Sequence, residues 1–334
     1  MRDRIEKNHL AILRILNERE KPVSGVSLTE EFSSRGIEMS ERTIRLYLNE
    51  MDRQWLTHYI KKHGRIITGK GIQELEKSRV YEKVGFITAK IDLLTYKMNY
   101  DLHAKKGTIV VNVSLVEEKQ IQQAAGMLVK AFESGFSMGR LVGIYRPGEV
   151  VAGEMIPEGF VGIGTICSVT LHGVIGSSGI PVRAIFGGLL EIENRKPDMF
   201  IQIVRYDGTS IDPLEIFIKS KMTRYREVVK TGSGRIGANF MEVPADAFKQ
   251  IVEIGKIMER DGLGSFLQLG WPGHSLLQVP INWGRLGGVI IGGLNPVAYL
   301  EESGIPVISK AISGLVDYQS MFDFHELLKM FPPG

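Results

Sequence analysis

The pentapeptide Ser178-Gly179-Ile180-Pro181-Val182 returns as Ser303-Gly304-Ile305-Pro306-Val307, 125 residues further on. Pro147-Gly148 returns as Pro272-Gly273 at the same offset, and Gly107-Thr-Ile-Val-Val-Asn-Val is echoed by Gly234-Arg-Ile-Gly-Ala-Asn-Phe at an offset of 127. A period that long exceeds a solenoid unit. It predicts two copies of one α/β half-domain packed about a pseudo-two-fold axis.

The signals within each copy follow one order. Thr108 to Leu115 alternates like a strand, and Glu117 to Glu133 carries Ile121, Ala125, Leu128 and Phe132 on one helical face. Leu141 to Tyr145 is a strand turned by Arg146-Pro147-Gly148-Glu149. Gly162 to Val169 is an apolar strand, matched by Leu286 to Ile291. Short helices are predicted from Leu171 to Ser178 and from Pro296 to Ser303, with Thr170 and Asn295 as matching N-caps. Gly179 and Gly304 end them, and Ile-Pro-Val opens the next strand. A terminal Gly followed closely by Pro is what a sharply ended helix requires, so the repeated pentapeptide reads as punctuation rather than ligand contact.

The first eighty residues stand outside the repeat. Ile5, Ile12, Leu13 and Leu16 have helical spacing, Lys21-Pro22 stops that helix, and Ser27 to Phe32 is a short second one ended by Arg35-Gly36. Ser40 offers an N-cap for a third. There Ile44, Leu48, Met51 and Trp55 share one face, and Arg42, Arg45, Asn49 and Arg53 share the opposite one. Arginine and asparagine are the residue types that read base edges in a major groove. Tyr59 to Thr68 reads as strand, turn and strand, bent at Gly64 and bearing Lys61, Lys62 and Arg65; Ile72 to Arg79 is a last short helix. Three helices followed by a basic hairpin is the order of a winged helix-turn-helix.

Charge agrees with this division. Residues 1–79 hold 16 Lys and Arg against 12 Asp and Glu, although the whole chain is only +3. A small basic unit is the electrostatic footprint of a nucleic-acid binder. The competing reading is a helical interaction domain whose charged face is merely solvated.

Within the repeat, the helix N-termini are the candidate ligand sites, since free N–H groups receive anions. Gly292-Gly293-Leu294-Asn295-Pro296 is one such turn, and Ser168-Val169-Thr170-Leu171-His172 is its counterpart. Arg146 and Arg183 are candidate carboxylate partners. The ligand set expected from the residues is thus Arg146, Thr170, His172, Arg183, Gly293 and Asn295. The plainer alternative is that the caps serve their own helices and the arginines are surface.

Other chemistry finds little support. Gly162-Ile163-Gly164 lacks the third glycine, helix start and later acid of a dinucleotide fingerprint. There is no Walker loop or HExxH, and His172 and His274 have no serine elbow or cysteine nucleophile pattern beside them. Cys167 is the single cysteine, which excludes an internal disulfide and metal binding by cysteine pairs; its apolar run predicts a buried structural thiol. No apolar run is long enough for a membrane helix, and MRDRIEKNH is too charged for a signal peptide. The expectation is a cytoplasmic protein with no catalytic role, no cofactor and no metal.

Beyond these readings, the chain resembles the NrpR family of archaeal nitrogen-regulation repressors over essentially its full length. The resemblance is carried by Ser40-Glu-Arg-Thr-Ile-Arg-Leu-Tyr-Leu, Gly69-Lys-Gly-Ile-Gln-Glu-Leu, Val84-Gly-Phe-Ile-Thr-Ala-Lys-Ile-Asp and the duplicated Ser-Gly-Ile-Pro-Val. The residue patterns already give an α/β (α+β) chain, with a winged-helix DNA-binding domain at 1–79. A regulatory and dimerisation domain follows at 80–334, with halves at about 80–200 and 201–334, and the resemblance agrees with this. It also implies a homodimer that represses nitrogen-assimilation genes and is released from operator DNA by 2-oxoglutarate. The DNA contacts expected are Ser40, Arg42, Thr43, Arg45, Asn49, Arg53, Lys61, Lys62 and Arg65. The largest members carry two regulatory modules and this chain has room for one, which leaves open a companion regulatory protein. Two rival readings stand beside it: an enzyme with an autoregulatory DNA-binding domain, and a DNA-binding scaffold without a metabolite ligand.

Overall fold

The protein, in a computed structural model, is described over residues 2–19, 21–34, 37–82 and 85–332. Its contacts divide it into two compact units, Met1–Val84 and Gly85–Gly334.

The smaller unit runs α1 (Arg2–Glu18), α2 (Gly25–Ser34), α3 (Glu41–Arg53), an antiparallel hairpin of β1 (Thr57–Ile60) and β2 (Gly64–Ile67), and α4 (Gly69–Glu82). Ile12 and Leu16 of α1, Leu28 and Phe32 of α2, and Ile44, Leu48 and Met51 of α3 close one core. Each such side chain contributes roughly 1.5–3 kcal/mol on leaving water. The expected helix stop at Arg35-Gly36 and the side chain of Ile5 lie outside the described residues.

Two details of this unit depart from the sequence reading. Trp55 does not continue the apolar face of α3. The helix ends at Arg53, Trp55 adopts a positive φ of 61°, and its side chain is 73% exposed. The last helix begins at Gly69 rather than Ile72, because the Thr68 hydroxyl accepts from the Gly71 N–H at 3.0 Å and starts the turn early.

The larger unit opens with α5 (Phe86–Lys97), a helix absent from the sequence reading. The first copy follows as β3 (Thr108–Glu117), α6 (Ile121–Glu133), β4 (Leu141–Tyr145), a small hairpin of β5 (Val150–Val151) and β6 (Glu154–Met155), β7 (Phe160–Ile166), α7 (Val169–Ser177) and β8 (Arg183–Glu193). An added strand β9 (Lys196–Arg205) and helices α8 (Pro213–Lys219) and α9 (Tyr225–Thr231) lead to the second copy. That copy is β10 (Gly234–Pro244), α10 (Phe248–Arg260), β11 (Phe266–Leu269), β12 (Arg285–Ile291), α11 (Asn295–Glu302) and β13 (Ile308–Asp317), with β14 (Phe322–Asp323) and α12 (Leu327–Met330) closing it. Glu117, expected in α6, still pairs with Phe160, so a short 3₁₀ turn separates strand from helix. Gly179 and Gly304, at φ +81° and +90°, follow the two short helices as the sequence requires.

Two five-stranded antiparallel sheets result, ordered β13-β3-β7-β4-β14 and β11-β12-β10-β8-β9. The copies are interleaved. The last repeated strand of the first copy, β8, pairs with β10 of the second, and β13 returns to pair with β3 of the first. One apolar core therefore runs through both copies.

Thr170 and Asn295 are not the N-caps expected; the cap positions fall at Ser168 and Leu294. Both side chains reach across to a strand instead. Thr170 Oγ1 accepts from the Val110 N–H at 3.0 Å and donates to the Val110 carbonyl at 2.8 Å. Asn295 accepts from the Gly237 N–H at 2.9 Å and donates to the carbonyls of Gly237 and Phe136 at 3.0 and 3.1 Å. Buried strand backbone at each copy's entrance needs partners, and the helix supplies them.

Candidate functional site: a recognition helix and a cleft

The α3 surface is built by its sequence period. Ile44, Leu48 and Met51 are fully buried, which turns Arg42, Arg45, Asn49 and Arg53 to solvent. Ser40 caps the helix by accepting from the Thr43 N–H at 3.2 Å, and the two hydroxyls lie 2.8 Å apart. Arg45 is steadied by Glu41 at 2.5 Å, one turn earlier. The hairpin places Lys61 and Lys62 at an exposed turn, with Lys62 at φ 67°.

Arg65 has a different place from the other basic residues. Its guanidinium donates to Asp52 at 2.8 Å and to the Asn49 side chain at 2.6 Å, and it lies 5.1 Å from the Tyr59 ring centre. Its backbone also pairs with Val23. Arg65 thus ties the hairpin to α3 and orients Asn49. Lys61, Lys62, Arg42 and Arg53 are left as exposed cationic side chains on this unit.

The larger unit contains a cleft of about 800 Å³ beside α5. Thr88, Asp92 and Tyr96 line it from α5, His172 from α7, Arg183 from the start of β8, Arg205 from the end of β9 and Asp207 from the turn after it. Arg205 grips Asp207 through two bonds, Nε to Oδ1 at 3.1 Å and Nη2 to Oδ2 at 2.8 Å. These bonds hold the Asp207 carboxyl below its ordinary range, and the field of Arg183 adds to them. His172 is buried, which pushes its imidazole down to about 4, so the ring is neutral at pH 7. Its Nε2 and the Thr88 hydroxyl are buried without a hydrogen-bond partner.

Of the six ligand residues expected from sequence, the cleft gathers His172 and Arg183. Thr170 and Asn295 are engaged with strand backbone, as above. Gly293 is packed so closely that an added Cβ would run into the Ile166 carbonyl and the Asn112 side chain. Arg146 is exposed in the turn after β4, with its N–H bonded to Glu149 at 3.0 Å, and is not part of the cleft lining. Thr88, Asp92, Tyr96, Arg205 and Asp207 were missed. The spacing of Ile87, Ile91, Leu94 and Met98, all buried, is the signal that places α5, but nothing local relates it to β9.

Catalytic equipment is not gathered here. Cys167 is buried, and burial pushes its thiol up to about 12. Among the described residues no group of three or more His, Cys, Asp or Glu is placed to hold a metal, and no helix is long and apolar enough to cross a membrane.

A winged helix with an exposed basic face, followed in the chain by a duplicated module with a cleft of small-molecule size, is the make-up of a winged-helix regulator. The family model described as NrpR regulatory domains NRD1 and 2 matches residues 84–323, and that of the Ribonuclease R winged-helix domain matches residues 10–75. The chain belongs to the NrpR family of global nitrogen regulators. It is 32% identical over 322 residues to the global nitrogen regulator NrpRI of Methanosarcina mazei, covering 96% of this chain and 99% of that one. It is 30% identical to the global nitrogen regulator NrpR of Methanococcus maripaludis, covering 93% of this chain but 54% of that protein. The NrpR of Methanocaldococcus jannaschii is likewise 29% identical and covered over 56% of its length. The chain thus spans about half of these two relatives. A crystal structure of a nitrogen repressor-like protein from Methanococcus jannaschii superimposes with a TM-score of 0.61 at 28% identity, over 71% of this chain and 97% of that one. These relatives are regulators, not enzymes.

Proposed function

We propose that this chain is a homodimeric repressor of nitrogen-assimilation genes that is released from its operator by 2-oxoglutarate. The observation that carries the DNA-binding part is the α3 surface, where Arg42, Arg45, Asn49 and Arg53 are exposed on one face of a helix anchored by its opposite face. Arg42, Arg45 and Asn49 read base edges, with Ser40 and Thr43 at the helix start. Arg53, Lys61 and Lys62 contact phosphates and set the register. Arg65 acts through Asn49 and the hairpin rather than on DNA directly. Two copies present two such helices to the half-sites of a palindromic operator. His172 and Arg183 are the effector contacts kept from the sequence reading.

The test is fluorescence anisotropy at fixed salt on a duplex that the protein itself selects from a randomised pool, with and without millimolar 2-oxoglutarate. Fixed salt matters because phosphate neutralisation makes affinity salt-dependent. Arg42→Ala with Arg45→Ala should weaken binding by roughly 30-fold or more, each lost base contact being worth about 1–3 kcal/mol. Undiminished affinity in the folded double variant would refute the assignment of α3. Tight binding indifferent to 2-oxoglutarate would keep the repressor and remove the effector.

A further inference from the structure

We propose that Leu46 and Asn49 together read one thymine in each half-site, with Leu46 against the 5-methyl group and the Asn49 amide on O4. This rests on the DNA-binding reading of α3 above and says which base two of its residues recognise. Leu46 is 65% exposed, although Ile44 and Leu48, two residues to either side, are fully buried. At roughly 100° per residue, position 46 falls in the same arc as Arg42, Asn49 and Arg53, opposite the core. A large apolar side chain therefore stands among the polar residues that face the bases. Of the base edges in a major groove, only thymine offers an apolar group, its 5-methyl.

Asn49 supplies the other half of the recognition. It follows Leu46 by three residues, so the two are neighbours on the helix surface. Arg65 Nη2 donates to Asn49 Oδ1 at 2.6 Å. A guanidinium has only donors, so the amide atom that faces it is the oxygen, and the Nδ2 hydrogens are the end left for DNA. Arg65 is itself held by Asp52 at 2.8 Å and by its backbone pairing with Val23. The amide is thus oriented by the hairpin before DNA arrives.

That orientation decides among the bases. An asparagine that reads adenine uses both ends of its amide, accepting from N6 and donating to N7. Asn49 has its accepting end engaged by Arg65, so it acts on DNA as a donor. Cytosine meets a donor with its own N4 donor, and guanine offers acceptors but no methyl group. Thymine carries the O4 acceptor beside the 5-methyl, and is the one base that suits both side chains.

Deoxyuridine lacks only the methyl group of thymidine, which gives a direct test. Fluorescence anisotropy on the full chain, at fixed salt, would use the duplex the protein selects, with each thymine replaced in turn by deoxyuridine in both half-sites. At one position the wild type should lose about fourfold per half-site, or about 15-fold for the pair, as expected for a methyl group no longer buried. Leu46→Ala, a change at an exposed position, should bind the thymine duplex more weakly and no longer distinguish it from the deoxyuridine duplex. Leu46→Met, apolar and of similar size, should restore the distinction. Asn49→Ala should keep it while losing much of the preference for thymine over cytosine at the same position. A wild type indifferent to every deoxyuridine, or a methyl effect unchanged in Leu46→Ala, would overturn the proposal. If Arg42→Ala with Arg45→Ala still weakened binding in that case, α3 would read DNA without Leu46. Undiminished affinity in that double variant would bring down the α3 assignment itself, and this inference with it.

Discussion

The two copies in the larger unit share a skeleton and differ in chemistry. Asn112 and Asn239 occupy the same strand position, and each reaches toward the other copy. Asn112 accepts from the Ile312 N–H at 2.9 Å, and Asn239 accepts from the Tyr206 hydroxyl and donates to Ser168 at 2.7 Å. Thr170 and Asn295, also equivalent, both grip the backbone of a first strand. Where the cleft lies, the copies part. His172 corresponds to Val297, and Arg183 to Ile308, at the 125-residue offset. Asn112, Thr170 and Asn295 satisfy backbone and Asn239 holds two side chains, whereas His172 and Arg183, found in the first copy alone, line the cleft. The duplication thus separates side chains that hold the two copies together from side chains that line the cleft.

That separation can be broken by making one copy resemble the other. The largest effect is expected at the turn before each short helix, where Ser168 corresponds to Gly293. Gly293→Ser would drive its Cβ into the Ile166 carbonyl and the Asn112 side chain, costing about 3 kcal/mol. The reverse change, Ser168→Gly, gives up one buried hydrogen bond and should cost about 1 kcal/mol. Urea unfolding followed by circular dichroism would measure both. A Gly293→Ser protein within about 0.5 kcal/mol of wild type would mean that the two turns are not built as the comparison requires.

Somewhat smaller effects are expected one turn into the same helices. Asn295→Ala orphans the buried Gly237 N–H and removes two further bonds, for about 2–3 kcal/mol. Thr170→Ala orphans the Val110 N–H and should cost about 1–2 kcal/mol. The order sharpens the comparison, because the copy with more bonds should lose more. Equal costs would show that the third bond, to Phe136, contributes nothing.

The same contrast explains how far the sequence could be read. The repeat, the recognition helix and the short helices with their terminal glycines were legible because each is a local pattern of spacing and turn chemistry. The interleaving of β8 and β13 was not, since strand pairing at a distance leaves no local mark. Thr170 and Asn295 read as helix caps in the sequence and bond to strand backbone in the structure. Both are residue types that cap helices, and only the structure shows the strands within their reach. Arg65 illustrates the same limit, because its bonds to Asp52 and Asn49 leave no mark in the sequence of a basic hairpin. The cleft draws on α5, α7, β8 and β9, spread between Thr88 and Asp207, and only His172 and Arg183 stand near a turn conspicuous in the sequence.

The smallest effect at neutral pH, and the one most specific to the contrast, is His172→Val, which installs the residue of the second copy. At pH 7 the exchange should move stability by less than about 1 kcal/mol, since a neutral, unpartnered ring gives way to a smaller apolar side chain. Acid should separate the two proteins. Burial lowers the folded imidazole to about 4 from an ordinary 6.5, so the unfolded chain takes up a proton first. The stability due to the neutral ring is fully present above pH 6.5 and is lost as pH falls from there toward 4. The wild type should therefore lose about 3 kcal/mol relative to His172→Val by pH 4, a difference read from paired urea melts across that range. Asp212, whose carboxyl burial pushes up to about 7, titrates in both proteins and cancels in the difference. Parallel stability curves would mean that His172 is solvated or partnered, and the first copy would then offer the cleft no more than Val297 offers the second.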